Sequence, residues 1–208
     1  MPELNTEWLL AFVIFAFSTA GTPGPNNAIM AASAANWGFA RTLPGVFGIS
    51  LGFAFMIAAV GLGLGEIFRL HPRLALALKI AGSLFLLHMA WKIATARPEP
   101  TSADANARND RDGRRPPGFF RMAAFQWINP KGWAMVLSML GVYAGHNADP
   151  RTDMLVMAAL FAVIGTITAA FWAGLGVLAG KWLNARQMVV FNRVMAALLV
   201  ASLALIWT

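Results

Sequence analysis

The stretch Gly21-Thr22-Pro23-Gly24-Pro25-Asn26-Asn27 decides how this chain is read. It interrupts an apolar run from about Trp8 to Ala35. A bilayer crossing needs only ~20 such residues. Pro23 and Pro25 bring no N–H, so they free the carbonyls four residues back, those of Thr19 and Gly21. Gly24 between them permits an unwound backbone. The helix is expected to restart with Asn26 and Asn27 near its new N-terminus. There, unbonded N–H groups and the positive end of the helix dipole attract an anion such as a carboxylate. Irregular backbone at that depth is tolerated only where protein or a wet cavity covers it. The pattern therefore predicts a broken helix with a binding site at the break; a plain proline kink is the structural alternative.

A second break reads Gln126-Trp127-Ile128-Asn129-Pro130-Lys131, inside an apolar run from about Phe119 to Tyr143. Pro130 frees the carbonyl of Gln126. Lys131 lies about ten residues into its run, ~15 Å deep at 1.5 Å per residue. A central lysine is disfavoured by ~2.5–3.5 kcal/mol on insertion scales and usually faces a pathway or a partner. Snorkelling on its long stem is the structural alternative. Both breaks fall about ten residues from the same surface, one in each half of the chain. Interrupted helices in that relation point to a transporter binding site. Asn26, Asn27 and Lys131 are read as the place for an anionic group such as a carboxylate, with the freed carbonyls of Thr19, Gly21 and Gln126 at the same breaks. Pro23, Gly24, Pro25, Asn129 and Pro130 shape the site.

Composition supports a membrane setting. Of 208 residues, 58% are hydrophobic and only 12% charged, and the mean hydropathy is +0.61. Soluble domains carry about 25% charged residues, so an ordinary soluble domain is excluded. The net charge is +7, but the basic residues sit between apolar segments, where they orient a membrane protein; no nucleic-acid partner is expected. Cysteine is absent, which excludes disulfides and thiolate metal sites. All nine acidic residues lie outside the apolar runs or at their margins. With no buried carboxylate pair, histidine cluster or phosphate loop, neither catalysis nor a metal or cofactor is expected. Glu3 and Glu7, without a Lys or Arg, make the N-terminus read as a retained span rather than a signal peptide.

Six apolar segments are read in all: Trp8–Ala35, Leu43–Leu64, Leu74–Ile93, Phe119–Tyr143, Met154–Gly180 and Met188–Trp207. Their length and lack of alternation make them helices rather than barrel strands. The fold class is thus an all-α membrane protein of six transmembrane helices, the first and fourth broken. The polar stretch 97–118, with Pro98, Pro100, Pro116 and Pro117, reads as a flexible cytoplasmic loop. It separates a first three-helix half, 1–96, from a second, 119–208. An odd number of spans per half inverts the second relative to the first. Arg41, the cluster from Lys92 to Arg121, and Lys181, Arg186 and Arg193 fall on one side; Arg69, Arg73 and Arg151 fall on the other. The excess predicts both termini outside. Gly48/Gly52 and Gly176/Gly180 have helix-packing spacing. Trp8, Trp91, Trp182 and Trp207 read as interfacial anchors, and Lys79 and His88 as structural.

The segments Thr22-Pro23-Gly24-Pro25-Asn26 and Gly38-Phe39-Ala40-Arg41, the Gly45/Gly48/Gly52 series, Leu78-Lys79 through Gly82 to Ala90-Trp91-Lys92, and Trp127-Ile128-Asn129-Pro130-Lys131 occur in one order over most of the chain. This pattern resembles the amino-acid exporter family typified by the lysine exporter and the homoserine/threonine exporters (LysE/RhtB). The resemblance implies a secondary exporter of amino acids or related metabolites in a bacterial inner membrane, multi-pass, driven by the proton-motive force. Its partners would be an amino-acid substrate, with its carboxylate at Asn26, Asn27 and Lys131 and its ammonium group at the carbonyls of Thr19, Gly21 and Gln126, and the lipid bilayer, with a homo-oligomer left open. Ala90 stands where the family often has glycine. Ser50-Leu51 and Gly132-Trp133 supply no anion for a cationic side chain, so a neutral amino acid is expected. A channel or accessory membrane subunit, or a metal-ion exporter, is the alternative.

Overall fold

The first apolar run folds as two helices, α1 (Thr6–Gly21) and α2 (Pro25–Trp37), bent by 56° across the proline break. This is a computed structural model, and it describes residues 6–64, 70, 72–96, 115–144 and 150–201. Every regular element among the described residues is helical. Gly38 ends α2 with φ at +80°, a conformation that glycine takes readily, and its N–H donates to the Ala34 carbonyl. The chain then turns into α3 (Phe39–Ala59), which runs on through a wide turn at Val60–Leu64. Next come α4 (Pro72–Ala94), α5 (Phe119–Gln126), α6 (Pro130–Tyr143), α7 (Pro150–Trp182) and α8 (Ala185–Ala201). At the start of α8, the N–H of Gln187 donates to Asn184 Oδ1 and the N–H of Asn184 to Gln187 Oε1, a reciprocal cap.

Among the described residues, two helices are long and apolar enough to cross a membrane, Phe39–Gly63 and Arg151–Trp182, and the bent pair α1/α2, counted as one span, makes a third. Large apolar side chains line their outer faces at helical spacing, among them Leu51 and Phe55 on α3 and Val163, Ile167 and Phe171 on α7. So much exposed apolar surface suits lipid and would be a liability in water.

The buried side chains form two bodies. One gathers α2, α4 and α8 around Ile29, Leu86, Phe125 and Leu199. The other gathers α1 and α6 around Phe12, Met56, Met139 and Met157. The long helices α3 and α7 run through both, Ile49 and Ala169 lying in the first body and Phe53 and Phe161 in the second.

Lipid is as apolar as leucine, so hydrophobic burial does little to hold these helices together. Close backbone packing does more. Gly48 and Gly52 of α3 sit against the backbone of Phe119 and Ala123 on α5, and Gly176 and Gly180 of α7 against that of Ala31 and Ala35 on α2. Both glycine pairs thus join helices from opposite halves of the chain.

Some expectations need correction or lie out of reach. Trp8 is no interfacial anchor: it is only 5% exposed, stacks on Phe12, and donates its Nε1–H to the Tyr143 carbonyl at 3.0 Å. A tryptophan N–H placed in a dry core needs such a partner. Trp91 and Trp182 are 70% and 78% exposed, as anchors would be. Trp207, the Lys79 side chain and residues 97–114 lie outside the described residues; 115–118 are non-helical.

Candidate functional site

Proline sets both breaks. α1 stops at Gly21 and α2 begins at Pro25, whose missing N–H is harmless in a first turn. α5 stops at Gln126 and α6 begins at Pro130 in the same way. Gly24, the residue before α2, is fully extended (φ −178°, ψ −179°), a conformation open to any residue. What glycine gives here is space for a neighbouring side chain. A Cβ there would stand 2.8 Å from Cδ of Lys131 and 3.1 Å from its Nζ. The lysine from the second break thus lies across the first.

Lys131 Nζ donates to the carbonyl and to Oγ1 of Thr22, each at 2.8 Å, and approaches the Pro23 carbonyl at 3.5 Å. A cation at the C-terminal end of α1 meets the negative end of its dipole. The breaks are joined again by their amides. Asn26 Nδ2 donates to Gln126 Oε1 at 2.9 Å, and Gln126 Nε2 returns a bond to Asn26 Oδ1 at 3.1 Å. Asn27 folds back on α1, its Nδ2 donating to the carbonyls of Ala20 and Thr22, each at 2.8 Å.

The carbonyls freed by proline already have donors. Thr19 receives the Thr22 hydroxyl at 2.9 Å, Gly21 the indole N–H of Trp172 at 3.1 Å, and Gln126 the N–H of Asn129 at 3.3 Å. Asn129 is different: its Oδ1 is buried and has no hydrogen-bond partner.

Part of this constellation borders one pocket at the seam between the two buried bodies; the carbonyls of Thr19, Gly21 and Gln126 lie outside its lining. It is lined by Gly24, Asn26, Asn27, Asn129, Lys131 and Gly132 from the breaks, and by Ile49, Ser50, Phe53, Phe161, Gly165 and Thr168 from α3 and α7. Among these lining residues Lys131 carries the charge. The first residues of α2 and of α6 both reach the cavity, so two helix starts and an ammonium group favour an anion there. The opposite wall is apolar, with the rings of Phe53 and Phe161 4.6 Å apart. The cavity is ≈ 30 Å³, room for about one or two waters. An amino acid enters only by moving Lys131, the ring pair or the helices. Among the described residues, no group of three or more His, Cys, Asp or Glu gathers as metal ligands would.

The family model described as LysE type translocator matches residues 17–206. The chain belongs to this family. It is similar to a cysteine/O-acetylserine efflux protein of Salmonella typhimurium (strain LT2), 30% identical over 166 residues that cover 79% of this chain and 80% of the relative. A protein of the same name from Escherichia coli (strain K12) is 30% identical over 168 residues, with the same coverage. No solved structure matches the chain. As a LysE type translocator, the protein is a membrane efflux transporter of small metabolites and not an enzyme.

Several residues in and around the site escaped the sequence reading. Thr22 stood within the quoted stretch, but nothing marked it as an acceptor for a lysine 109 residues away. Trp172 carried a usable signal: a tryptophan deep within an apolar run must find a partner for its N–H. Ser50, Thr168, Phe53 and Phe161 gave none, since hydroxyls that bond their own helix and apolar rings are common in any span.

The amide pair makes a prediction. Asn26→Ala leaves Gln126 Oε1 without its partner in a site where Gln126 is 0% exposed. A buried group left unpaired costs about 1–3 kcal/mol. The double variant Asn26→Ala/Gln126→Met removes both polar ends and is expected to be more stable than Asn26→Ala alone. Thermal unfolding in detergent measures the difference.

Proposed function

We propose that this LysE type translocator exports small neutral amino acids from a bacterial cell across the inner membrane, as a secondary transporter driven by the proton-motive force. One observation carries the reading: two broken helices bring their restarts and Lys131 to a single pocket at the seam between two packed bodies. The substrate carboxylate would take the place between the N-terminal turns of α2 and α6 and draw Lys131 toward it. The wall of Ile49, Phe53 and Phe161 favours an uncharged side chain. The relatives named for cysteine and O-acetylserine efflux support substrates of that size and charge.

In this reading the chain crosses the membrane six times, through α1/α2, α3, α4, α5/α6, α7 and α8, with both termini periplasmic and 97–118 cytoplasmic. The halves 1–96 and 119–208 would be inverted repeats that rock about the seam. Each position would open the pocket to one side.

The test is export from cells loaded with dipeptides that release cysteine, serine, threonine or lysine. Saturable, stereoselective efflux of the neutral amino acids is expected, with lysine retained and efflux stopped by a protonophore. Non-saturable leakage would favour a channel. Efflux of lysine instead would overturn the substrate class, and efflux that persists without a proton gradient would remove the coupling.

A further inference from the structure

Asn129 is the polar side chain that the packing of this site leaves unsatisfied. It is 1% exposed, borders the pocket, and its Oδ1 meets no donor. An asparagine just before a helix usually turns that oxygen onto an N–H of the first turn. Asn129 holds this position before α6 and makes no such bond. The other polar side chains around it are engaged. Asn26 pairs with Gln126, and Asn27 holds two carbonyls. Ser50 donates to the Val46 carbonyl and Thr168 to the Ile164 carbonyl. A buried acceptor without a donor is unfavourable, and a native protein that keeps one invites a reason.

The rest of the site supplies what is missing. Lys131 and the two helix starts offer donors, which suit a carboxylate. The carbonyls of Thr19, Gly21 and Gln126 each already accept one hydrogen bond, from the Thr22 hydroxyl, the Trp172 indole and the Asn129 N–H, whereas Asn129 Oδ1 accepts none. A zwitterion brings an ammonium group on the carbon next to its carboxylate. A carboxylate held by Lys131 and the start of α6 leaves that ammonium near Asn129, the residue just before α6.

We propose that Asn129 Oδ1 is the acceptor for the α-ammonium group of the transported amino acid, and that this contact makes the site select amino acids over their des-amino counterparts. The inference rests on the export reading above and deepens it. A site built to hydrogen-bond a substrate group rejects the analogue lacking that group far better than an apolar pocket rejects one methylene, because its own polar atom stays unpaired.

The experiment uses the purified protein in proteoliposomes under reducing conditions. Uptake of labelled L-cysteine in counterflow is inhibited with unlabelled L-cysteine or with 3-mercaptopropionate, which keeps the thiol and carboxylate and lacks the amine. For the wild type, L-cysteine is expected to inhibit about 10- to 100-fold more strongly, the range that one charge-assisted hydrogen bond supports. In Asn129→Leu the ratio falls to within about threefold, chiefly because L-cysteine binds more weakly. Asn129→Asp keeps an acceptor oxygen and is expected to keep the ratio, so that its loss in Asn129→Leu, a side chain of similar bulk, is tied to the oxygen. Asn129→Leu should also unfold at a temperature no lower than the wild type, since it removes an unpaired buried atom. A folded Asn129→Leu that still discriminates as the wild type does would overturn the proposal and leave the export reading standing. A wild type that carries no neutral amino acid at all would overturn the export reading, and this inference with it.

Discussion

Lys131→Met is expected to abolish export while leaving a protein that inserts and accumulates normally. Methionine keeps a long stem over Gly24, where the Lys131 side chain packs, and removes only the ammonium group. In the proposed substrate-bound site the ammonium would pair with a desolvated carboxylate, and truncating one partner of such a pair costs about 2–5 kcal/mol. At 1.4 kcal/mol per factor of ten, the loss in transport is ~30-fold or more. The ammonium has a structural duty too, since it covers the Thr22 and Pro23 carbonyls at the broken end of α1. That duty is shared, because Asn27 also donates to the Thr22 carbonyl. The variant should therefore lose some stability and nearly all transport. Lys131→Arg tests the same point from the other side. It keeps the charge but replaces a compact ammonium by a planar fork. The three acceptors around Nζ come from two adjacent residues, a shape that a point charge meets and a fork does not. Weak but measurable export is expected for it. Dipeptide-loaded cells give the rates, and membrane abundance and thermal unfolding give the stability. If Lys131→Met exports at the wild-type rate, the ammonium group has no part in the pathway.

The positions of the two breaks were legible because proline chemistry is local. The missing N–H of Pro23, Pro25 and Pro130 acts within one turn, and α2 and α6 start at Pro25 and Pro130 for that reason. The nearness of Lys131 to the first break was legible only as a coincidence of depth, drawn from counting residues inward from a charged loop. The partners themselves were not legible. Asn26 and Gln126 are 100 residues apart and meet because α3 and α7 hold the two breaks face to face. Gly24 was read for backbone freedom, yet its conformation is ordinary and its smallness admits a side chain from the other half. Trp8 was misread for a related cause: a tryptophan at a span end suits a lipid interface or a buried N–H bond equally well, and only the position of the Tyr143 carbonyl decides. Asn129 looked like a shaping residue of the break because an asparagine before Pro-Lys is an ordinary helix start. Its unpaired oxygen appears only when every donor around it is accounted for.

The two buried bodies are packed by different means, which yields the second large expected effect. In the α1–α6 body the rings of Trp8, Phe12, Phe15 and Tyr143 pack on one another, with Phe12 and Tyr143 5.3 Å apart. Side chains of this kind move by changing rotamer. Beside the α2–α4–α8 body, α7 and α3 pack on their neighbours backbone on backbone. A Cβ on Gly176 would fall on the Ala31 carbonyl oxygen, with the Ala31 carbonyl carbon at 2.8 Å, and one on Gly180 would lie 2.8 Å from the Ala35 oxygen. One on Gly48 would lie 2.9 Å from Cα of Phe119. No rotamer relieves such a contact, so α7 must move off α2 as a unit. Gly176→Ala is expected to destabilise the protein by about 1–3 kcal/mol, the range for overpacking a tight interface, and Gly176→Val by more. Whatever folds should stand open on that side, cytoplasmic in the proposed topology. The chain has no cysteine, so a single Ser50→Cys in the pocket wall can report access without a background. Labelling of Ser50→Cys by a membrane-impermeant maleimide in inside-out vesicles should be several-fold faster with Gly176→Ala than without it. Unchanged labelling in a folded Gly176→Ala would mean that the α2–α7 contact holds the helices together without gating the pocket.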